Sequence, residues 1–421
     1  MKRTDKQQNK MNWPHNFIVL TALAMSVSCQ SVNDTASAVN PGVSTPGDLR
    51  ISAPFARQTT DFAFDTFRRI NTAEGNKNVF VSPLSLHIAL GMLLNGADSQ
   101  TAADIQKTLK LDAQTLTEAN ATYKSLLAVL PTLDPKVTLN LANSVWYRNG
   151  FVVEPVYLTA LRDNFSATAT GLNFSDPSAK NQINQWASEQ TNGKIKTVIQ
   201  DIKPEHVLFL LNALYFRGDW KTRFDAAKTV DAPFTLADGQ KKTVKMMRLD
   251  AAMRRAFRSS YSAFELPYAT GKYTMTVLLP AENNTANALI NTITPADWSQ
   301  LQQDMTETRT DFGLPRFSFS YEIGLNDILT QMGMGSAFGT GANFARISRT
   351  NPLKVDFVKQ NTFVAVDETG TEAAAVTSIG VSVKSVQLPV FCDRPFVVVI
   401  HEKTTGAILF MGKITDPTLG I

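Results

Sequence analysis

The sequence predicts an α+β fold, and three observations carry that prediction. Apolar residues at helical spacing lead the chain, mixed strand-like runs dominate from about residue 230, and no stretch alternates strand and helix in the βαβ manner. No internal repeat is visible. At 421 residues, 43% hydrophobic and 19% charged, the chain can bury a sizeable core and global disorder is excluded.

Residues 60–70 place Phe62, Phe64, Phe67 and Ile70 at helical spacing. Residues 84–95 repeat the pattern with Leu86, Ala89, Leu90 and Leu93 before Gly96, and 101–111 form a third amphipathic helix. Residues 137–146 alternate through Val137, Leu139, Leu141, Asn143 and Val145, which predicts a strand. A helix over 179–191 is closed by Asn192-Gly193. The continuous apolar run 207–216 suits a strand buried on both faces. Strands then follow at 233–236, 242–247, 263–266, 273–279, 316–321, 353–366, 396–401 and 408–414, with one helix at 326–332 among them.

The first ten residues carry Lys2, Arg3, Lys6 and Lys10, and 17–25 is a short apolar stretch. Together they have the form of a signal peptide, residues 1–28, too short for a stable membrane span. Cys29 follows Ser-Val-Ser in the manner of a bacterial lipoprotein cleavage box, although Ser26 stands where that box usually has Leu. The two readings are a lipid anchor on Cys29 and an ordinary secretory signal cut nearby, both placing the chain outside the cell or in its envelope. Without the leader the charges fall from 41 basic and 37 acidic to 37 and 36, because four Lys/Arg and one Asp leave with it. That near-neutral balance gives no electrostatic case for nucleic acid. The only other cysteine is Cys392, so lipidation of Cys29 leaves no intrachain disulfide. Residues 29–54, rich in Ser, Asn, Pro, Gly and Thr, are expected to be a flexible tether, with the folded domain at 55–421.

The most informative segment is 367–385. By alternation one face collects Thr371, Ala373, Ala375, Thr377, Ile379, Val381 and Val383, small at first and then apolar. The other collects Glu372, Ala374, Val376, Ser378, Gly380, Ser382 and Lys384. Gly370, Gly380 and the Ser, Thr and Ala content suit an exposed segment instead. A run fit for either setting is a candidate for a strand that inserts on demand.

This run resembles the hinge and reactive loop of the serpins, a family of suicide protease inhibitors. Five further blocks resemble that family in the right order: Asn-Val-Phe-Val-Ser-Pro-Leu-Ser-Leu (78–86), Leu-Asn-Ala-Leu-Tyr-Phe-Arg-Gly-Asp-Trp (211–220), Glu-Leu-Pro-Tyr (265–268), Leu-Pro-Arg-Phe (314–317) and Leu-Phe-Met-Gly-Lys-Ile-Thr-Asp-Pro (409–417). The resemblance covers the chain from about residue 55. It implies three mixed β-sheets, about nine helices and an exposed reactive loop at about 368–390.

It also implies site residues. Glu368 opens the hinge, Gly370 is its pivot, and Thr371, Glu372, Ala373, Ala374 and Ala375 are the small-residue run. Fifteen residues from Gly370 inclusive end on Lys384, and a count back from Arg394-Pro395-Phe396 gives the same bond, Lys384–Ser385. Lys there suits serine proteases of trypsin-like specificity, whose pocket holds a carboxylate. A shift of one or two residues would present Val383 or Ser385 to elastase-like enzymes. The implied mechanism is attack at the Lys384 carbonyl, an acyl-enzyme, and insertion of the stretch from Thr371 into the main sheet. Ser82, Ser85 and Asn212 match the family's shutter, and Trp220 its breach aromatic. Gln360 stands where the family often has His; it donates and accepts but does not titrate near neutral pH.

Other chemistry is sparse. His15 leaves with the leader, and His87, His206 and His401 show no metal-ligand spacing. There is no G-x-S-x-G elbow, and the Gly-rich stretch 333–339 fits no dinucleotide or phosphate loop. No cofactor or metal is expected. Arg248, Arg254, Arg255 and Arg258 form the densest basic group; a polyanion site and a solvated surface are the two readings, with the surface preferred. A monomeric inhibitor facing outward from a bacterial envelope is the functional expectation. A non-inhibitory binding or carrier serpin is the alternative, and the retained small hinge residues argue against it.

Overall fold

A computed structural model describes residues 51–371 and 389–419. The helices are α1 (Ala53–Glu74), α2 (Pro83–Gly96), α3 (Ser99–Thr108), α4 (Leu116–Val129), α5 (Pro155–Phe165), α6 (Pro177–Gln190), α7 (Ala286–Thr292), α8 (Pro295–Asp304) and α9 (Asn326–Leu329). The strands up to the middle of the chain are β1 (Val79–Val81), β2 (Val137–Arg148), β3 (Thr168–Leu172), β4 (Leu208–Asp219), β5 (Val230–Thr235), β6 (Lys241–Phe257), β7 (Tyr261–Pro267) and β8 (Tyr273–Pro280). The remainder are β9 (Thr306–Pro315), β10 (Phe317–Gly324), β11 (Lys359–Val366), β12 (Gly370–Thr371), β13 (Val390–Phe391), β14 (Phe396–Glu402) and β15 (Ile408–Ile414).

Local chemistry explains the ends. Ser52 caps α1 by accepting from the Phe55 amide, so the last residues assigned to the tether, 53 and 54, belong to the helix. Ser82 caps α2 in the same way, with Pro83 at its first position. Thr115 and Glu118 form a reciprocal capping box on α4, and Thr294 and Asp297 another on α8. The third expected helix ends at Thr108, short of residue 111.

One sheet has the order β10-β11-β12-β4-β2-β3. The rest form a nine-stranded network, β1-β15-β14-β8-β7-β6-β9-β13, with β5 also on β6. The long strand β6 pairs with β5 and β9 along most of its length and with β7 only over Arg255–Phe257. That short seam joins two pleated bodies, so three sheets appear as two hydrogen-bonded networks. The expected strand at 353–366 is cut to Lys359–Val366. Before it, the Val355 amide donates to the Ala337 carbonyl and the Val358 amide to the Asn326 side chain, so this backbone is committed elsewhere. The helix α2 is buried almost throughout and lies between the sheets, contacting both β4 and β15. It stands close to its neighbours because Gly91 and Gly96 leave room for Tyr123 and Ile347.

Candidate functional site

The strand pair β4 and β11 frames the site. Among the described residues these two are neighbours only through β12, whose two residues lie between them at one end. Gly370 pairs with Asp219 and Thr371 with Gly218, antiparallel; on the other side Thr371 pairs with Val366. Only glycine fits at 370, because a methyl group there would press into the Gly218 carbonyl and lie 2.7 Å from the Asp219 Cα.

This end is densely bonded. The Trp220 amide donates to the Thr369 carbonyl (2.8 Å) and its indole N–H to the Asp367 carbonyl (2.9 Å). The Trp220 ring stacks on Tyr268 at 4.6 Å between centroids. The Tyr268 hydroxyl meets the Thr371 hydroxyl at 2.6 Å, and burial raises the phenol's pKa. The Asp367 carboxylate accepts from the amides of Thr369 and Gly370, a turn that sets up the short strand. Glu368 is buried; Arg316 Nε reaches its carboxylate at 2.7 Å, Thr229 donates its hydroxyl, and the Phe224 amide donates to its carbonyl (3.0 Å).

Below β12 the strands enclose a cavity of about 160 Å³. Leu86, Leu90 and Leu93 of α2 line it on one side, and Trp186 and Ala187 of α6 on the other. Its middle is crossed by a polar chain. Gln360 is buried, accepts from the Ser82 amide (2.9 Å) and donates to the Ser82 carbonyl (2.8 Å). Ser82 donates to the Leu409 carbonyl (2.7 Å) and accepts from the Ser85 amide. Ser85 donates to the Asn212 side-chain oxygen, and the Asn212 amide to that of Asn143 (2.6 Å). Ser82, Ser85, Asn212 and Gln360, predicted separately, are thus brought into one network from α2, β4 and β11. Every member is neutral, so the network ties each framing strand to the start of α2 without a buried charge.

Trp220, Glu368, Gly370 and Thr371 also come together, at the paired end. Glu372, Ala373, Ala374, Ala375, Lys384, Ser385 and Cys29 lie outside the described residues. Sequence reasoning missed Tyr268, Arg316, Thr229 and Asn143. The first two sat inside matched blocks, but nothing local reveals that both turn toward the hinge.

Of the basic group, Arg248 pairs with Asp311 (2.5 Å), Arg254 with Glu265 (3.0 Å), Arg258 with Asp304, and Arg255 lies over the Phe257 ring. Charges matched in this way have little left for a polyanion. His87 and His401 are fully buried, and desolvation pulls both down to about 4. Burial pushes the Cys392 thiol up, away from nucleophilic use. Among the described residues no cluster of three or more His, Cys, Asp or Glu could hold a metal, and no helix is long and apolar enough to cross a membrane.

The short strand β12 lies between β4 and β11 above this cavity, and the family described as Serpin (serine protease inhibitor) matches residues 57–417. The chain belongs to that family. It is 31% identical to bovine (Bos taurus) Serpin A3-6 over 407 residues, 95% of this chain and 96% of that protein. Among solved structures, the thermophilic serpin tengpin in its native state superposes with a TM-score of 0.81 at 30% identity, covering 88% of this chain and 97% of tengpin. Human thyroxine-binding globulin, in complex with its hormone, gives 0.80 at 27%, covering 86% and 98%.

Proposed function

We propose that this serpin is a suicide-substrate inhibitor of serine proteases, with Lys384–Ser385 as the bond offered and trypsin-like enzymes as its preferred targets. One observation carries the reading: Gly370 and Thr371 already occupy the first rung of a strand between β4 and β11, and the cavity continues along the same line. Attack by the protease serine on the Lys384 carbonyl gives an acyl-enzyme and releases Ser385 as a new amino terminus. The freed arm then extends the rung. Its inward side chains, Ile379, Val381 and Val383, contribute at most roughly 5–9 kcal/mol on burial. Fourteen extended residues span roughly 45 Å, enough to carry the tethered protease across the domain before it deacylates.

The export signal and Cys29 support a place outside the cell or on its envelope, held by lipid. The likeness to thyroxine-binding globulin supports a second reading, a carrier that uses the fold alone. One assay separates the two. On incubation with trypsin and with an elastase, the inhibitor gives a covalent band that survives hot detergent, at a stoichiometry near one, and the released fragment begins at Ser385. Clean cleavage by both enzymes without such a band leaves the carrier reading standing.

A further inference from the structure

The slit between β4 and β11 is walled by aromatic rings at the end away from β12. His206, just before β4, and Phe209, within it, meet Phe357 from the opposite side. The centroids stand 5.3 Å apart for His206–Phe209 and 5.9 Å for each of the other two pairs. All three rings line the cavity described above, as do Trp186 and Val198 from the α6 side. Phe209 belongs to a small apolar cluster with Trp146, Phe174 and Ile183, separate from the main core that holds Leu86 and Leu90. The cavity therefore lies where two cores meet, and neither fills it. Voids larger than a water molecule are few in a packed domain. An apolar cavity of roughly 150 Å³ stays dry when empty and takes one benzene-sized ring. At about 160 Å³, this one has room for a ring and little more.

One side chain in the wall has a hydrogen-bond donor to spare. His206 is only 8% exposed. Its Nδ1 accepts from the Lys203 amide (3.1 Å), which leaves the proton of the neutral ring on Nε2. Among the described residues nothing accepts that proton. The residue is held in place: its amide donates to the Lys203 carbonyl (3.1 Å), and Arg148 donates to its carbonyl through Nε (3.1 Å) and Nη2 (2.7 Å). A buried donor without a partner is costly, and an acceptor on a bound molecule would supply the missing bond. The cations in the wall are already matched, Lys354 with Asp356 (3.4 Å) and Lys359 with Glu322 (2.8 Å), so the cavity does not call for an anion.

We propose that this cavity is a binding site for a neutral, single-ring aromatic molecule carrying one hydrogen-bond acceptor, such as an aryl ketone. The ring takes the space among Phe209, Phe357 and Trp186, where aromatic walls favour edge-to-face or offset contact. The acceptor receives the His206 Nε2 proton and fixes the orientation of the molecule, the usual division of labour in an apolar pocket. Phe357, 38% exposed, forms part of the entrance. The site stands apart from the inhibitor reading, since every wall it uses is present in the uncut chain.

The test is fluorine NMR on the intact full chain with two probes of like shape, para-fluoroacetophenone and para-fluoroethylbenzene. Both resonances should shift or broaden saturably as protein is added. The ketone should bind roughly fivefold more tightly, the worth of one net hydrogen bond. His206→Phe keeps a ring but no donor, and should bring the two probes to equal affinity. Val198→Trp fills the space and should abolish binding of both, with its melting temperature read beside that of the unaltered chain to show that it folds. Should that variant not fold, the probe comparison in the unaltered chain and in His206→Phe decides. No saturable change with either probe overturns the site. Equal affinities in the unaltered chain overturn it too, as does a preference for the ketone that survives His206→Phe. Binding of both probes that survives in folded Val198→Trp places the occupant elsewhere and overturns it as well.

Discussion

The two ends of the slit are closed by opposite means. At the β12 end directional polar contacts close the slit: one indole and one amide bond from Trp220, a hydroxyl pair between Tyr268 and Thr371, and the Glu368 carboxylate held by Arg316 and Thr229. At the other end the rings of His206, Phe209 and Phe357 meet, and among the described residues no backbone bond joins β4 to β11 there. Hydrogen bonds are directional, so the first end fixes a register; apolar contact is not, so the second can open and reclose without choosing one. On the proposed inhibitor reading, the register of an incoming strand would be set at the first end and resistance to its arrival would be low at the second.

The largest effect should come from spoiling the fixed end. Thr371 is 4% exposed and packed on Tyr268, and the alternation places Ala373 on the same inward face. Thr371→Arg or Ala373→Arg puts a charge where the sheet has no room for bulk, and insertion loses its race with hydrolysis. Both variants are expected to become substrates, cut at the normal rate by trypsin with no detergent-stable complex. A covalent complex at ordinary stoichiometry in either one would contradict the idea that entry begins at this rung.

Acid attacks buried histidines away from the slit rather than its ends. His87 lies on α2, its ring between the Leu109 carbonyl (3.1 Å) and the Tyr123 hydroxyl (2.9 Å). His401 lies on β14 beside Thr276. Both are held down to about 4 in the folded state, against about 6.5 when unfolded. Between those values the unfolded chain binds more protons than the folded one, so stability falls as pH falls. Two such groups give a slope of roughly 3 kcal/mol per pH unit between about pH 4 and pH 6. Denaturant midpoints from pH 7.5 to 4.5 check this, and His87→Gln should remove about half the slope. An unchanged slope in that variant would assign the acid sensitivity elsewhere.

The contrast between the ends also separates what could be seen in the sequence from what could not. Glu368, Gly370 and Thr371 were legible through the resemblance of their run to a serpin hinge. The polar chain was legible in part, since Ser82, Ser85 and Asn212 match the family's shutter. Asn143 was not, because it reads as one more residue of an alternating strand. The helices α4 and α8 carried their signal in the Thr115–Glu118 and Thr294–Asp297 boxes, which an apolar-spacing reading passes over. The strand β9 offers little local signal in Thr-Glu-Thr-Arg-Thr-Asp and exists because ten of its residues pair with β6. Residues 353–358 alternate like a strand, yet their amides are claimed by Ala337 and Asn326. That same diversion leaves Phe357 free to reach across to Phe209.

The smallest effect tests whether charge matters at the fixed end. The Arg316 side chain is 42% exposed while that of Glu368 is 7% exposed, so solvent screens the pair from one side only. Arg316→Ala should cost roughly 1 kcal/mol of stability at low salt, because water and Thr229 replace part of what the guanidinium supplied. The difference from the unaltered chain should shrink between 50 mM and 1 M salt as the Debye length falls from above 10 Å to about 3 Å. Gln360, buried and neutral, offers the contrast: truncating it leaves the Ser82 amide without its partner and the Ser82 carbonyl with only the Leu86 amide, and that loss is indifferent to salt. A salt-independent Arg316→Ala would mean that the side chain acts at this end by packing. The hinge would then be held by Trp220, Tyr268 and the strand pairing alone.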